Sequence, residues 1–258
     1  MNSNIDVGNV LSRVFEIYKD QASVLLPAAA VIFLVNALLT LVLTGSVVLA
    51  LLAALVQFVL IYLYQGMVVN LVSDVQDGRR DSSVSDLFRA VGPVLLPLIA
   101  ASILAGIGIV LGLVLLIVPG VFLLTIWAVL APVVVLERPG VFAAFGRSRE
   151  LVKGNGWPVL GTIVIFYLII FVVGLVLGLI GAAAGDVGQV IATFIANVLT
   201  VPLGALAAAV LYFALREAKG EAGAPGTLGQ PTATQPATAT QPQPQPQQAT
   251  RPPQPPPS

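Results

Sequence analysis

Asp74 and Asp77, in the run Asp74-Val75-Gln76-Asp77-Gly78, are the residues best spaced for chemistry, two carboxylates one helical turn apart that could share a divalent cation. The next residues, Arg79, Arg80, Asp81 and Ser82, add no clear further ligand set. The plainer reading is a helix end at Asp-Gly with a basic pair after it that orients the chain. Elsewhere reactive groups are scarce. With no histidine and no cysteine, the chain lacks the commonest general base, the commonest neutral metal ligand and any thiolate. No Asp, Glu, Lys or Arg falls inside the long apolar stretches, where an ionisable group would mark a proton relay or ion path. The polar residues there are Asn36, Thr40, Gln57, Thr125, Asn197 and Thr200. Such groups hydrogen-bond across helices or line a cavity, and Asn36, Gln57 and Asn197 are the candidates to test. The expectation is a protein with no catalytic residue, no cofactor and no metal, and so not an enzyme.

The elements that carry these residues can be read from the charges. Of 258 residues, 57% are hydrophobic and 9% charged, against about a quarter charged in a soluble domain. A bilayer accommodates that composition. A formal net charge of zero gives no general attraction to nucleic acid. No charge occurs between Asp20 and Asp74, Arg89 and Glu137, Lys153 and Asp186, or Asp186 and Arg216. A span needs about 20 apolar residues, so the first two stretches fold back as hairpins and the last two hold one helix each. Turns at Thr44-Gly45-Ser46 and Pro119-Gly120 place six spans near 22–43, 47–72, 93–117, 120–136, 157–181 and 188–214. Met1 to Gln21 is polar and then amphipathic, unlike a cleavable signal.

Six spans put every Lys and Arg on one face and leave Asp186 alone on the other. By the positive-inside rule both termini are cytoplasmic, in a multi-pass protein of the cell membrane.

An amphipathic segment precedes each hairpin. Val7, Val10, Leu11, Val14 and Tyr18 share one face of the first; Val84, Leu87, Phe88 and Val91 make the second, with Ser83 and Asp86 placed for a capping box; Val141, Phe142, Phe145 and Val152 make the third. Arg13, Glu16 and Lys19 match Arg147, Glu150 and Lys153 in spacing, and Val-Leu-Leu-Pro ends at both Pro27 and Pro97. The expected fold is therefore all-α: three repeats of interfacial helix plus helical hairpin. Lying in the headgroup layer, these helices would offer Arg13, Lys19, Arg89, Arg147, Arg149 and Lys153 to anionic lipids, each worth about 1 kcal/mol. Gly108 with Gly112, and Gly174 with Gly178, are i, i+4 pairs that let helix backbones approach. The membrane domain covers 1–218. From 219 to 258 a Pro/Gln-rich cytoplasmic tail has too little apolar bulk to order.

Leu116 to Trp157 is the best-marked stretch, with Pro119-Gly120, Trp127, Pro132, Glu137, Arg147, Ser148, Leu151, Gly154 and Trp157. It resembles the membrane domain of the glycerophosphoryl diester phosphodiesterase family, as do Leu11 to Lys19 and Asp77-Gly78-Arg79. The resemblance covers about residues 5 to 218. It implies a stand-alone membrane module, since the histidines and acidic ligands of the phosphodiesterase barrel have no counterpart here. Asp74 to Gly78 is also similar to the opening of the metal-binding motif of the CDP-alcohol phosphotransferases, whose remaining residues are missing. The leading expectation is a module that organises lipids or a protein partner at the cytoplasmic face. The alternative is a transporter of a lipid-like solute, and the remote one a lipid-synthesis enzyme built on Asp74 and Asp77.

Overall fold

The structure, a computed structural model, describes residues 5–42, 46–78 and 83–221, without the side chains of 40–42. The chain divides into Met1–Gly226 and Thr227–Ser258. All the described residues belong to the first unit; the expected tail disorder, the Thr44-Gly45 turn and the Arg79-Arg80 loop lie outside them. Helices succeed one another almost without interruption, with no strand among the described residues. They are α1 Val7–Asp20, α2 Ala22–Val42, α3 Val47–Gln76, α4 Val84–Leu115, α5 Ile117–Ile126, α6 Leu130–Pro132, a π-helical turn Val133–Glu137, α7 Val141–Val152, α8 Gly156–Ala183 and α9 Gly185–Ala218. Among the described residues, six helical stretches are long and apolar enough to cross a membrane, α5 through Glu137 counting as one.

The core sits toward the end of the bundle that carries the Lys and Arg residues. Val10, Val14 and Ile17 of α1, Tyr64 to Val72 of α3, Val129 to Val135, and Leu203 to Leu215 of α9 supply most of its buried side chains. Toward the other end the helices present bare apolar side chains, Leu51 at 65%, Leu115 at 77% and Leu179 at 64% exposed. In water that surface would be untenable; in a bilayer it needs no cover.

Three expectations change. First, the three-fold repeat is not reproduced. Ser83 does cap its helix, accepting from the Asp86 N–H at 3.2 Å while donating to Asp86 Oδ2 at 2.6 Å. That helix then runs unbroken through Pro93 and Pro97 to Leu115, because Leu87, Val91, Val94, Leu98, Ala101 and Ala105 form one continuous buried stripe. The second interfacial segment is thus the first part of the span. Second, the hairpin between α4 and α5 turns at Leu116, which is extended (φ −158°, ψ 134°). Pro119 sits in the first turn of α5, where a missing N–H costs nothing. Gly120 serves close approach instead: a Cβ on Gly112 would lie 2.9 Å from the Gly120 Cα. Third, α1 is clamped onto the bundle. Phe15 stacks on Phe166 of α8 at 6.4 Å, and the Tyr18 hydroxyl donates to the Leu199 carbonyl of α9 at 3.1 Å. Burial pushes the Tyr18 phenol up, which keeps it a donor. An amphipathic stripe suits a protein groove as well as a lipid surface.

The fourth span is broken. After α5 the chain turns through Trp127 to Val129, makes one short turn of α-helix, and widens into the π turn, closed by the Arg138 N–H on the Val133 carbonyl at 3.3 Å. Pro132 has no N–H to return to the Ala128 carbonyl, which weakens the helix at this point. Ser148 of α7, fully buried, donates to the Ile126 carbonyl at 2.9 Å and so caps the loose end of α5.

Candidate functional site

The break opens onto a cavity of about 430 Å³. Small residues leave the room. On α4, Ser102, Ala105, Gly106 and Ile109 line it; on α9, Gly204, Ala207, Ala208 and Leu211 do so with the same i, i+3, i+4, i+7 spacing. A Cβ at Gly106 would meet nothing within 4 Å, and one at Gly204 only Ile170 Cδ1 at 4.0 Å. Leu124, Trp127, Ala128, Leu130 and Ala131 of the broken span close one side, and Thr162 to Ile170 of α8 close another. Irregular backbone at membrane depth is tolerated where it is packed in protein or faces a cavity, and this segment meets that condition. Trp127 is held between α4 and α7: it meets Phe145 edge-on at 5.0 Å, and a Cβ at Gly108 would crowd its ring at 2.8 Å.

Tyr167 lines the cavity and is also 63% exposed, so the mouth opens sideways between helices. It lies about 16 Å along α8 from Gly156, within the apolar part of the bundle. The volume is in the range of small-ligand sites, about 300–1,000 Å³.

A second constellation lies at the charged end. The Arg147 guanidinium grips Glu137 two-handed, Nε to Oε2 at 2.8 Å and Nη2 to Oε1 at 3.2 Å, and also bonds Glu221. The Tyr212 hydroxyl donates to Glu137 Oε1 at 2.9 Å, and Arg216 lies over the Tyr212 ring at 5.6 Å. Arg216 also donates to the Glu221 carbonyl at 3.1 Å. The side chains of Glu137 and Arg147 are 7% and 16% exposed. Burial alone would lower the Arg147 pKa; its bonds to Glu221 and Glu137 outweigh that and hold it above its usual range. The π turn explains how Glu137 gets there: one extra residue rotates the rest of the segment by about 100°. The cluster ties together the end of the broken span, α7 and the end of α9. With Glu137, Arg147 and Glu221 paired, it reads as a structural latch.

The sequence candidates fare differently. Asn36, Gln57 and Asn197 are each partly buried, and none of them lines the cavity. Gln57 Oε1 is buried with no hydrogen-bond partner among the described residues, and so is Asn70 Nδ2, a residue that sequence reasoning does not single out. Thr125 and Thr200 bond the carbonyls four residues back, at 2.8 and 2.7 Å. Asp77 ends α3, its N–H on the Ser73 carbonyl, and Asp74 lies one turn before it; no group of three acidic residues stands together among the described residues. Lys19, Arg89, Arg149 and Lys153 are exposed, and Arg13 pairs with Glu16 at 2.9 Å. Arg147 is not offered to lipid: it turns inward, because two carboxylates need it there. Sequence reasoning misses Tyr62, Gln65 and Ser102 on the cavity and the whole Glu137 cluster. An isolated Glu at the end of an apolar span is the available signal for the cluster.

No known family's sequence profile matches the chain, and no solved structure is significantly similar to it. It is similar to a UPF0259 membrane protein of Pectobacterium carotovorum subsp. carotovorum (strain PC1), at 42% identity over 107 residues. That match covers 40% of this chain and 40% of the relative, so the two share about two fifths of their lengths. The chain is an integral membrane protein by its six apolar helical stretches, in keeping with the relative's name.

Proposed function

We propose that this chain is a non-enzymatic lipid-binding module of the cell membrane, with both termini cytoplasmic, and that its cavity holds the apolar part of a membrane lipid. The observation that carries this is the 430 Å³ cavity between small-residue faces of α4 and α9, walled by a broken span and opening beside Tyr167. A lipid chain can enter there from the bilayer without crossing water. Exposed Lys19, Arg89, Arg149 and Lys153 would favour anionic headgroups at the cytoplasmic face. Membership of Leu116 to Trp157 in a glycerophosphoryl diester phosphodiesterase-type membrane domain, which no family profile matches, is part of this proposal and brings no activity with it. A protein partner in the membrane is compatible with this reading.

The broken span favours one second reading, transport of a lipid-like solute, because discontinuous helices at membrane depth are a device of transporters. The Asn36, Gln57 and Asn197 set gives that reading no support, since it is not on the cavity.

Photo-crosslinking in nanodiscs tests the proposal, using a phospholipid with a diazirine in its acyl chain. Adducts are expected on Ser102 to Ile109 and Gly204 to Leu211, and they should vanish in the Gly106→Leu, Gly204→Leu double variant. Adducts confined to outer positions such as Leu51 and Leu179 would overturn it. A reconstituted protein that also moved fluorescent lipid between leaflets would favour the transport reading.

A further inference from the structure

The cavity carries polar side chains but no charge. Tyr62, Gln65, Ser102, Thr162 and Tyr167 line it, and no Asp, Glu, Lys or Arg among the described residues does. Thr162 uses its hydroxyl on the Pro158 carbonyl at 2.9 Å. Gln65 of α3 and Ser102 of α4 both line the cavity, and no hydrogen bond engages either side chain among the described residues. A carboxamide in an apolar wall is costly unless something in the cavity bonds it. It offers two donors and one acceptor, and the serine hydroxyl adds one donor and an acceptor. An ester carbonyl or a hydroxyl can bond either residue. A carboxylate drawn into the pocket would accept from the same groups, but an uncompensated buried charge costs far more than those hydrogen bonds return.

Building on the lipid-binding reading, we infer that the lipid taken up presents uncharged polar groups to Gln65 and Ser102, the esters or hydroxyl next to its chains, as in a diacylglycerol. Any charged headgroup stays outside. The chemistry of the pocket therefore selects for glycerolipid esters over free fatty acid, whose carboxylate stands where the ester would.

The test uses the full-length protein in nanodiscs with three diazirine probes that share one acyl chain: a diacylglycerol, a phosphatidic acid, and the free acid at a pH where it is ionised. The diacylglycerol and the phosphatidic acid should each label the cavity roughly tenfold more than the ionised free acid, the ratio that about 1.4 kcal/mol produces. Gln65→Leu with Ser102→Ala should remove that preference at an unchanged melting temperature. Equal labelling by all three probes, or a preference for the free acid, overturns the inference and leaves lipid binding standing. Preference that survives the double variant overturns the assignment of Gln65 and Ser102. No cavity labelling by any probe removes the lipid-binding reading as well.

Discussion

Arg147→Gln is the most informative single change at the charged end. It removes the cation that grips Glu137, whose side chain is 7% exposed, and leaves that carboxylate the Tyr212 hydroxyl at 2.9 Å. Stripping one partner from a buried pair costs about 3–5 kcal/mol. The surviving Tyr212 bond, and Glu221 at 32% exposed, place this case near the lower figure, about 3 kcal/mol. For a domain of this size each kcal/mol moves the melting temperature by about 2–4 °C, so a fall of roughly 6–12 °C is expected. Tryptophan fluorescence during heating in nanodiscs can track it, in a Trp157→Phe background that leaves Trp127 against Phe145 of α7 as the sole reporter. Adding Glu137→Gln should restore part of the loss, since no buried charge is then left alone. A fall of about 2 °C or less would be the size of an exposed pair and would refute the latch.

Ser148→Ala strands the Ile126 carbonyl and should cost about 1–3 kcal/mol, measured by the same melting experiment. Gly120→Leu should prevent folding, because its Cβ would lie 2.5 Å from the Leu113 amide nitrogen, whereas Gly178→Leu meets open space and should leave expression and monodispersity intact. Since the chain has no cysteine, single substitutions report topology cleanly. Val187→Cys should react with an impermeant maleimide on whole cells, and Gly220→Cys only after lysis; the reverse pattern would invert the assigned orientation.

The spans were legible because charge is excluded from hydrocarbon, so Asp20, Asp74, Arg89, Glu137, Lys153, Asp186 and Arg216 punctuate the sequence whatever the helices pack against. Packing was less legible. Gly174 and Gly178 read as a contact pair, yet a Cβ on either meets nothing within 4 Å, while one on Gly181 would lie 2.6 Å from the Ala192 Cβ of α9. Spacing marks a face of small residues without saying whether a helix, lipid or a void lies opposite. Val84 to Val91 has an amphipathic period whether it lies on a membrane or continues into a buried stripe. The Glu137 cluster joins residues 10 and 74 positions from Arg147, separations with no helical signature. The cavity could not be read at all from single residues, since its walls are made by what α4 and α9 lack.

Native mass spectrometry of the protein released from nanodiscs of mixed natural lipid addresses the central claim most directly. The parent protein should retain one lipid at collision energies that strip the Gly106→Leu, Gly204→Leu variant bare, with Val164→Leu on the exposed face of α8 behaving as the parent. Equal retention by parent and filled-cavity variant would show that the bound lipid lies elsewhere and would contradict the account.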